Sequence, residues 1–129
     1  MDILKSNLKP SLCPNSSTVG DRRPTTIALV QTRWHPGPQT HRNTLNEGIA
    51  QAAQQGAEIV FLPELTLSRY PADTKPTVQA DQTAEPLVGG PTHLFAAAAA
   101  RDNDVFVHAS LFQHSGAPDG KGLNTAIVV

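Results

Sequence analysis

Two short apolar runs with an amphipathic segment between them predict that the folded part of this chain starts as strand, helix, strand. Residues 27–30 (Ile-Ala-Leu-Val) and 59–62 (Ile-Val-Phe-Leu) are continuous apolar runs, typical of strands buried on both faces of a sheet. Between them, apolar side chains recur at the spacing of one helix face, at Leu45, Ile49, Ala52 and Ala53. The pattern predicts a βαβ unit with parallel strands and a right-handed crossover.

Glycine and proline residues set the predicted ends of the first helix. Residues 34–38 (Trp-His-Pro-Gly-Pro) are expected to form a loop, because two prolines flank a glycine. Thr40 is then a suitable N-cap, and Gly56 can adopt the left-handed conformation that ends a helix. Gly48 lies inside the predicted helix and weakens it by about 1 kcal/mol relative to alanine.

The rest of the chain predicts a second helix and a hairpin. Gly-Gly-Pro at 89–91 opens the helix, since proline suits a first turn, and Asn103 can end it. Its apolar face is expected to contain Leu94, Phe95, Ala98 and Ala99. Residues 105–111 and 123–129 are two further apolar strands joined by a Gly-rich loop. The predicted order is β-α-β-α-β-β, an α/β fold in which two helices leave at least one sheet face bare.

The first 24 residues differ in composition from the rest. Residues 1–24 are rich in serine, proline and charge and have no periodicity, which predicts a disordered N-terminal extension before a folded part at 25–129. A start codon assigned too early is one alternative. A targeting peptide is another, and Asp2 and Asp21 argue against it.

Composition excludes several partners. The hydrophobic fraction is 39%, the charged fraction 16% and the formal net charge -1, so nothing favours nucleic acid or an anionic membrane surface. The longest uncharged apolar run, residues 94–100, is too short to span a bilayer. With Cys13 as its single cysteine, the chain forms no internal disulfide, and a cytoplasmic location is expected.

The strongest candidate for chemistry is Glu64, which follows the second predicted strand. Open α/β sheets place ligand and catalytic groups just past the carboxyl ends of their strands. A carboxylate at such a place is expected to be partly desolvated and thereby a better proton acceptor. The alternative is a solvated loop glutamate. The segment 63–90 has no clean period, and loops of this length are often functional, although a surface excursion is the alternative for most of it.

Several short segments together resemble the N-terminal part of the nitrilase superfamily of carbon–nitrogen hydrolases. They follow one another in that family's order and cover nearly everything from residue 25 to 129. These segments are residues 27–31, 56–57, 59–65, 89–91, 107–110 and 124–125. Among the members, the chain is most similar to those of the N-carbamoylputrescine amidase and β-ureidopropionase type.

The resemblance implies a fold, a reaction and a site. The fold would be the N-terminal half of an αββα sandwich, and the site a Glu–Lys–Cys triad in which Glu64 is the general base. The family's lysine and cysteine lie beyond the last predicted strand and have no counterpart in these 129 residues, so the chain alone is expected to be inactive. The substrate would be a small-molecule amide or N-carbamoyl amine, without cofactor or metal. A full-length protein is expected to be a homo-oligomer.

Few other residues are candidates for the site. Tyr70 follows Glu64 on a loop that should overhang the pocket, and the resemblance places an aromatic near here, so Tyr70 is a weak candidate for substrate contact. Loop packing is its alternative. Cys13 is interpreted as incidental, Lys121 as a solvated turn residue, and nothing requires Lys75 at the site. The histidines lack a metal-ligand spacing.

Two rival interpretations remain open. The apolar residues 126–129 indicate that more chain is needed to cover the last strand. In this interpretation the product is a non-catalytic truncated half-domain that oligomerises through its exposed sheet. A nucleotide-binding module is the other rival. It lacks support, because residues 32–35 (Thr-Arg-Trp-His) stand where a glycine-rich turn is needed.

Overall fold

A computed structural model describes residues 1–6, 24–70, 84–116 and 122–129. Most of the predicted N-terminal extension lies outside these ranges, as do Cys13, Lys75 and Lys121. The elements are β1 (Ile27–Leu29), α1 (Pro38–Gln54), β2 (Ile59–Phe61), α2 (Pro91–Asn103), β3 (Phe106–Gln113) and β4 (Leu123–Val128). This sequence of elements confirms the predicted order β-α-β-α-β-β.

The strands form one mixed sheet with the order β1-β2-β3-β4. The pairings of β1 with β2 and of β2 with β3 are parallel, and Ala28, Val60 and Val107 lie side by side across them. The pairing of β3 with β4 is antiparallel. Both the predicted parallel βαβ unit and the predicted hairpin are therefore confirmed.

Helix α1 begins earlier than predicted. Its N-cap is Gly37 and Pro38 occupies the first turn, so the prediction of Thr40 as N-cap is wrong. Proline is favoured there because its fixed φ matches the helix and its missing N–H would have had no partner. The predicted end is confirmed, since Gln55 is the C-cap and Gly56 has a φ of 85°.

Helix α2 begins as predicted, with Gly90 as N-cap and Pro91 in the first turn, and Asp104 ends it in the left-handed conformation. Its buried face confirms the prediction at Phe95 and Ala99, whereas Leu94 and Ala98 are not buried. Leu94 is 58% exposed, and the residues that face the core follow the i, i+3, i+4, i+7 spacing from a different start. These are Thr92, Phe95, Ala96 and Ala99.

The core lies between one face of the sheet and both helices. Leu45 and Ile49 of α1 have no exposed surface, nor do Val60 and Val107 of the central strands. Phe95, from α2, belongs to the same hydrophobic cluster. Because strand side chains alternate between faces, the residues on either side of Val60 and Val107 point away from the helices.

The opposite face of the sheet is apolar and open. Ile27 and Leu29 of β1 are 57% and 76% exposed, and Phe106 of β3 and Val128 of β4 are each 60% exposed. The expected bare face is confirmed, and the expectation that β1 and β2 are buried on both faces is wrong, since Ile59 and Phe61 of β2 are also only partly buried. The reason is that α1 and α2 pack on the same side, so within the described ranges each strand is covered from one direction only.

No helix in the described part of the chain combines the length and the apolar character that crossing a bilayer requires.

Candidate functional site

Glu64 lies just beyond the carboxyl end of β2, as the sequence predicts for a catalytic carboxylate. The chain stays attached to the sheet past β2, because the Leu62 N–H donates to the carbonyl oxygen of His108 at 3.0 Å. Leu65 and Thr66 are buried, whereas Glu64 itself is exposed. The expected partial burial of the carboxylate is therefore not found.

The Glu64 carboxylate is held by a side chain from the hairpin. Asn124, in β4, donates a hydrogen bond from Nδ2 to Oε1 of Glu64 at 2.7 Å. Asn124 is exposed and pairs with Phe112 across β3 and β4. An amide donor is suited to fixing a carboxylate because it adds no charge beside it. Sequence reasoning did not single out Asn124, although residues 124–125 were among the segments that carried the family resemblance.

The backbone under Glu64 is fastened to β3. The Leu65 N–H donates to Oγ of Ser110 at 2.6 Å, and the Thr66 N–H donates to the Ser110 carbonyl at 2.9 Å. In return, the Ser110 N–H donates to Oγ1 of Thr66 at 3.0 Å, and that hydroxyl donates to the Pro63 carbonyl at 3.1 Å. Leu65 has a φ of 51°, in the left-handed region.

The loop after β1 reaches the same edge of the sheet. His41, in the first turns of α1, is 5% exposed, and its Nε2 lies 3.0 Å from the carbonyl oxygen of Thr66. Because a carbonyl oxygen only accepts, Nε2 carries the hydrogen. The Trp34 ring packs against the His41 ring at 4.5 Å between centroids. Trp34 and His41 therefore support the segment that carries Glu64.

Tyr70 is 47% exposed and is the last described residue before the undescribed residues 71–83. No contact joins it to Glu64 among the described residues, so its role in substrate binding stays a prediction. Lys75, which follows it in the sequence, lies outside the described ranges.

Glu85 is a buried carboxylate that was not predicted from the sequence. It is 7% exposed, and its carboxylate accepts hydrogen bonds from the N–H and the hydroxyl of Thr92, at 2.7 and 2.5 Å. Both bonds satisfy groups in the first turn of α2. The Glu85 backbone bridges to β3, accepting from the N–H of His114 and donating to the carbonyl of Phe112. Glu85 thus serves the structure, as an anchor between α2 and β3.

Nothing in the described ranges resembles a metal centre: no three histidine, cysteine, aspartate or glutamate side chains lie together there. A cavity of about 330 Å³ lies at the opposite edge of the sheet, lined by Glu58, Asp104, Phe106 and Val129 among others. Glu58 and Phe106 sit at the amino ends of β2 and β3, so this cavity is separate from the edge that carries Glu64.

Comparison with known proteins gives one family and one fold. A family model described as carbon-nitrogen hydrolase matches residues 26–129. No curated protein matches the chain.

The solved structures most similar to the chain include several of an amidase from Nesterenkonia sp. AN1. One, a glutamate-to-glutamine variant showing Michael addition of acrylamide at the active-site cysteine, is 23% identical with a TM-score of 0.52, over 81% of this chain and 39% of that chain. The amidase after His-tag removal is 25% identical with a TM-score of 0.51, over 81% and 39%. A cysteine-to-serine variant, described as from the nitrilase superfamily, is 25% identical with a TM-score of 0.51, over 81% and 38%. The mixed sheet with its two helices thus has the fold of part of a nitrilase-superfamily amidase, and the chain spans about two fifths of that amidase's length.

Proposed function

The chain belongs to the carbon–nitrogen hydrolase family, and from this we propose that it supplies Glu64 as the general base for hydrolysis of a non-peptide carbon–nitrogen bond. The observation that carries the proposal is the place of Glu64. It follows a central parallel strand, stands at the carboxyl edge of the sheet and has one carboxylate oxygen fixed by Asn124 at 2.7 Å. Catalytic groups of open α/β sheets occupy this edge.

The chemistry that suits this carboxylate is acyl transfer through a thiol. Glu64 would take the proton of a cysteine Sγ as the sulfur attacks the carbonyl carbon of the substrate. A lysine ammonium would stabilise the negative charge on the tetrahedral intermediate. The C–N bond then breaks, the nitrogen leaves as ammonia or an amine with a proton returned to it, and an acyl thioester remains. Glu64 next takes a proton from water, which hydrolyses the thioester and frees the thiol.

The substrate class we propose is a small amide or an N-carbamoyl amine, with Tyr70 as a substrate contact. Amides are favoured because the similar solved structures are of an amidase, one of them with acrylamide added at its active-site cysteine. The N-carbamoyl alternative, of the N-carbamoylputrescine amidase or β-ureidopropionase type, rests on the sequence resemblance alone. The mechanism needs no cofactor or metal. We place the reaction in the cytoplasm and the full-length enzyme in a homo-oligomer.

We propose that the 129-residue polypeptide by itself has no turnover. Its single cysteine, Cys13, precedes β1 in the sequence, whereas the resemblance places the nucleophile after β4. The base would then be present without the thiol that it activates. Ammonia release from acetamide, acrylamide and an N-carbamoyl amine should stay at the buffer rate with this polypeptide.

The decisive experiment uses the enzyme encoded by the complete reading frame that contains these residues. Glu64→Gln should lower kcat by about 100-fold or more, because the amide cannot accept the thiol proton. Glu47→Gln is the matched control, since Glu47 is an exposed glutamate of α1, with 61% of its side chain exposed. Turnover by the Glu64→Gln enzyme at the rate of the control would refute the base assignment.

A second candidate function is favoured by the open face of the sheet. Leu29, Phe106 and Val128 expose apolar surface at 76%, 60% and 60%. Contiguous apolar surface of this kind marks interaction sites. The polypeptide would then be a non-catalytic half-domain that associates with a second copy of itself through this face. Size-exclusion chromatography distinguishes this function, since a clean monomer at all concentrations that melts cooperatively would contradict it.

A further inference from the structure

We propose that Ser110 and Thr66 are positioning residues for Glu64, a role that rests on the proposed function of Glu64 as the base. Together they form what we call the β3 clamp, the reciprocal hydrogen bonds between residues 65–66 and Ser110. Ser110 receives the N–H groups of Leu65 and Thr66, and Thr66 receives the N–H of Ser110 on its hydroxyl. Neither residue contacts the carboxylate of Glu64, so they act through the backbone.

The clamp holds a backbone conformation that would not persist alone. Leu65 has a φ of 51°, and the left-handed region is unfavourable for a residue with a Cβ. Such conformations persist where the surroundings over-determine them, and they cluster at functional sites. Here the Leu65 N–H is bonded to Oγ of Ser110 at 2.6 Å, and the Leu65 side chain is 5% exposed. Leu65 directly follows Glu64, so the same bond fixes the peptide group that carries the proposed base.

The clamp residues differ in burial from the side chain that they position. Thr66 is 1% exposed and Ser110 is 7% exposed, whereas Glu64 is exposed. An exposed side chain is oriented by few contacts of its own, and the one seen here is with Asn124. The orientation of the Glu64 side chain relative to the backbone is therefore set by the buried residues beneath it. His41 extends the clamp, since its Nε2–H donates to the Thr66 carbonyl at 3.0 Å.

Two chemical features make the clamp testable one atom at a time. Valine has nearly the shape of threonine but no hydroxyl, so Thr66→Val removes the acceptor for the Ser110 N–H without opening a cavity. Serine keeps that hydroxyl, so Thr66→Ser should retain the hydrogen bond from the Ser110 N–H that Thr66→Val removes. Ser110→Ala removes the acceptor for the Leu65 N–H. Thr44, whose hydroxyl donates to the Thr40 carbonyl within α1 at 3.0 Å, gives the matched control Thr44→Val.

The first measurement is hydrogen exchange, by NMR, on the 129-residue polypeptide. The Leu65 amide should be protected in the parent chain and in Thr44→Val, and should exchange at least about tenfold faster in Ser110→Ala. An unprotected Leu65 amide in the parent chain would overturn the clamp itself, whatever the protein catalyses.

The second measurement is steady-state kinetics on the enzyme from the complete reading frame. Thr66→Val and Ser110→Ala should lower kcat by about 10- to 100-fold, because a misplaced base loses its alignment with the thiol, while KM changes less than about threefold. Thr66→Ser should recover kcat to within about threefold of the parent. Parent-like kcat in both hydroxyl deletions, with loss of protection at Leu65, would overturn the positioning role and leave Glu64 as base. If the parent enzyme hydrolyses none of the amides, the proposed function fails, and the positioning role fails with it, although a protected Leu65 amide would still establish the clamp.

Discussion

Oε1 of Glu64 and Nδ2 of Asn124 lie 2.7 Å apart, although the two residues are 60 positions apart in the sequence. The bond joins the carboxyl end of the parallel strand β2 to the antiparallel strand β4. Between them lies β3, so the proposed base is tied to both later strands of the sheet: through its side chain to β4 and through its backbone to Ser110 of β3. The exposed Glu64 carboxylate is thus positioned by hydrogen bonds to two other strands of the sheet.

Asn124→Ala should therefore impair the proposed reaction without impairing the fold. We expect kcat to fall by roughly tenfold, the effect of losing one hydrogen bond of about 1.5 kcal/mol to a charged group, while KM is nearly unchanged. Stability should change by less than about 1 kcal/mol, because both side chains are exposed. Steady-state kinetics and denaturant unfolding provide the two measurements.

Asn43→Ala is the control for this prediction. Asn43 is also exposed, and its Oδ1 accepts a hydrogen bond from Gln39 at 2.8 Å on the outer side of α1. Equal kinetics for the two alanine variants would argue that the bond to Asn124 has no part in placing Glu64.

Glu85→Ala should destabilise the fold by about 1–3 kcal/mol, because the Thr92 N–H and hydroxyl would lose a buried charged acceptor. Glu85→Gln should cause a smaller loss of stability. The glutamine Oε1 still accepts one of the two hydrogen bonds, whereas its NH₂ group faces a donor and cannot accept the other. Glu47→Ala, at an exposed position, should stay within about 0.5 kcal/mol of the parent. Urea unfolding of the 129-residue chain would test this order. An unchanged midpoint for Glu85→Ala would show that the carboxylate does not anchor α2.

The order of the elements and the place of Glu64 were accessible from the sequence because both depend on local patterns. Apolar runs gave the strands, helical spacing gave the helices, and Pro63 after the run at 59–62 put Glu64 at a strand end. The start of α1 was missed because two suitable caps lie three residues apart, and the preference of proline for the first turn favoured Gly37 over Thr40.

Contacts between distant residues were not accessible. Asn124 meets Glu64 only because the hairpin register places it opposite Phe112, and no spacing in the sequence specifies that register. Glu85 was missed since glutamate is seldom buried unless paired, and its partner Thr92 belongs to another element. Likewise, an apolar run shows that a strand can be buried but not how many of its faces are covered. The presence of only two helices predicted a bare sheet face, but the run at 27–30 did not show that β1 would be exposed on that face.

Gly48→Ala should destabilise the chain, although alanine is the better helix former. A Cβ at position 48 would lie 2.8 Å from Cγ1 and 3.2 Å from Cγ2 of Val30, which is buried and unable to move freely. The gain of about 1 kcal/mol in helix propensity is outweighed by overpacking of about 1–3 kcal/mol. Adding Val30→Ala should relieve the clash. The double variant should therefore lose about 1 kcal/mol less of the free energy of unfolding than the two single variants lose together. Additive losses in urea unfolding would show that the close approach of Gly48 and Val30 is unimportant.

The open sheet face makes a prediction for the 129-residue polypeptide in solution. If a second copy covers this face, Phe106→Lys should weaken self-association, because it places a charge where about 1.5–3 kcal/mol of phenylalanine burial would otherwise favour the dimer. That corresponds to a loss of roughly tenfold or more in association constant. Leu94→Lys is the matched control, since Leu94 is 58% exposed against 60% for Phe106 but lies on the outer side of α2. Sedimentation equilibrium across a concentration series measures both constants. Equal weakening by the two lysines would assign the association to general hydrophobicity, and weakening by Leu94→Lys alone would move the interface from the sheet to the helix layer.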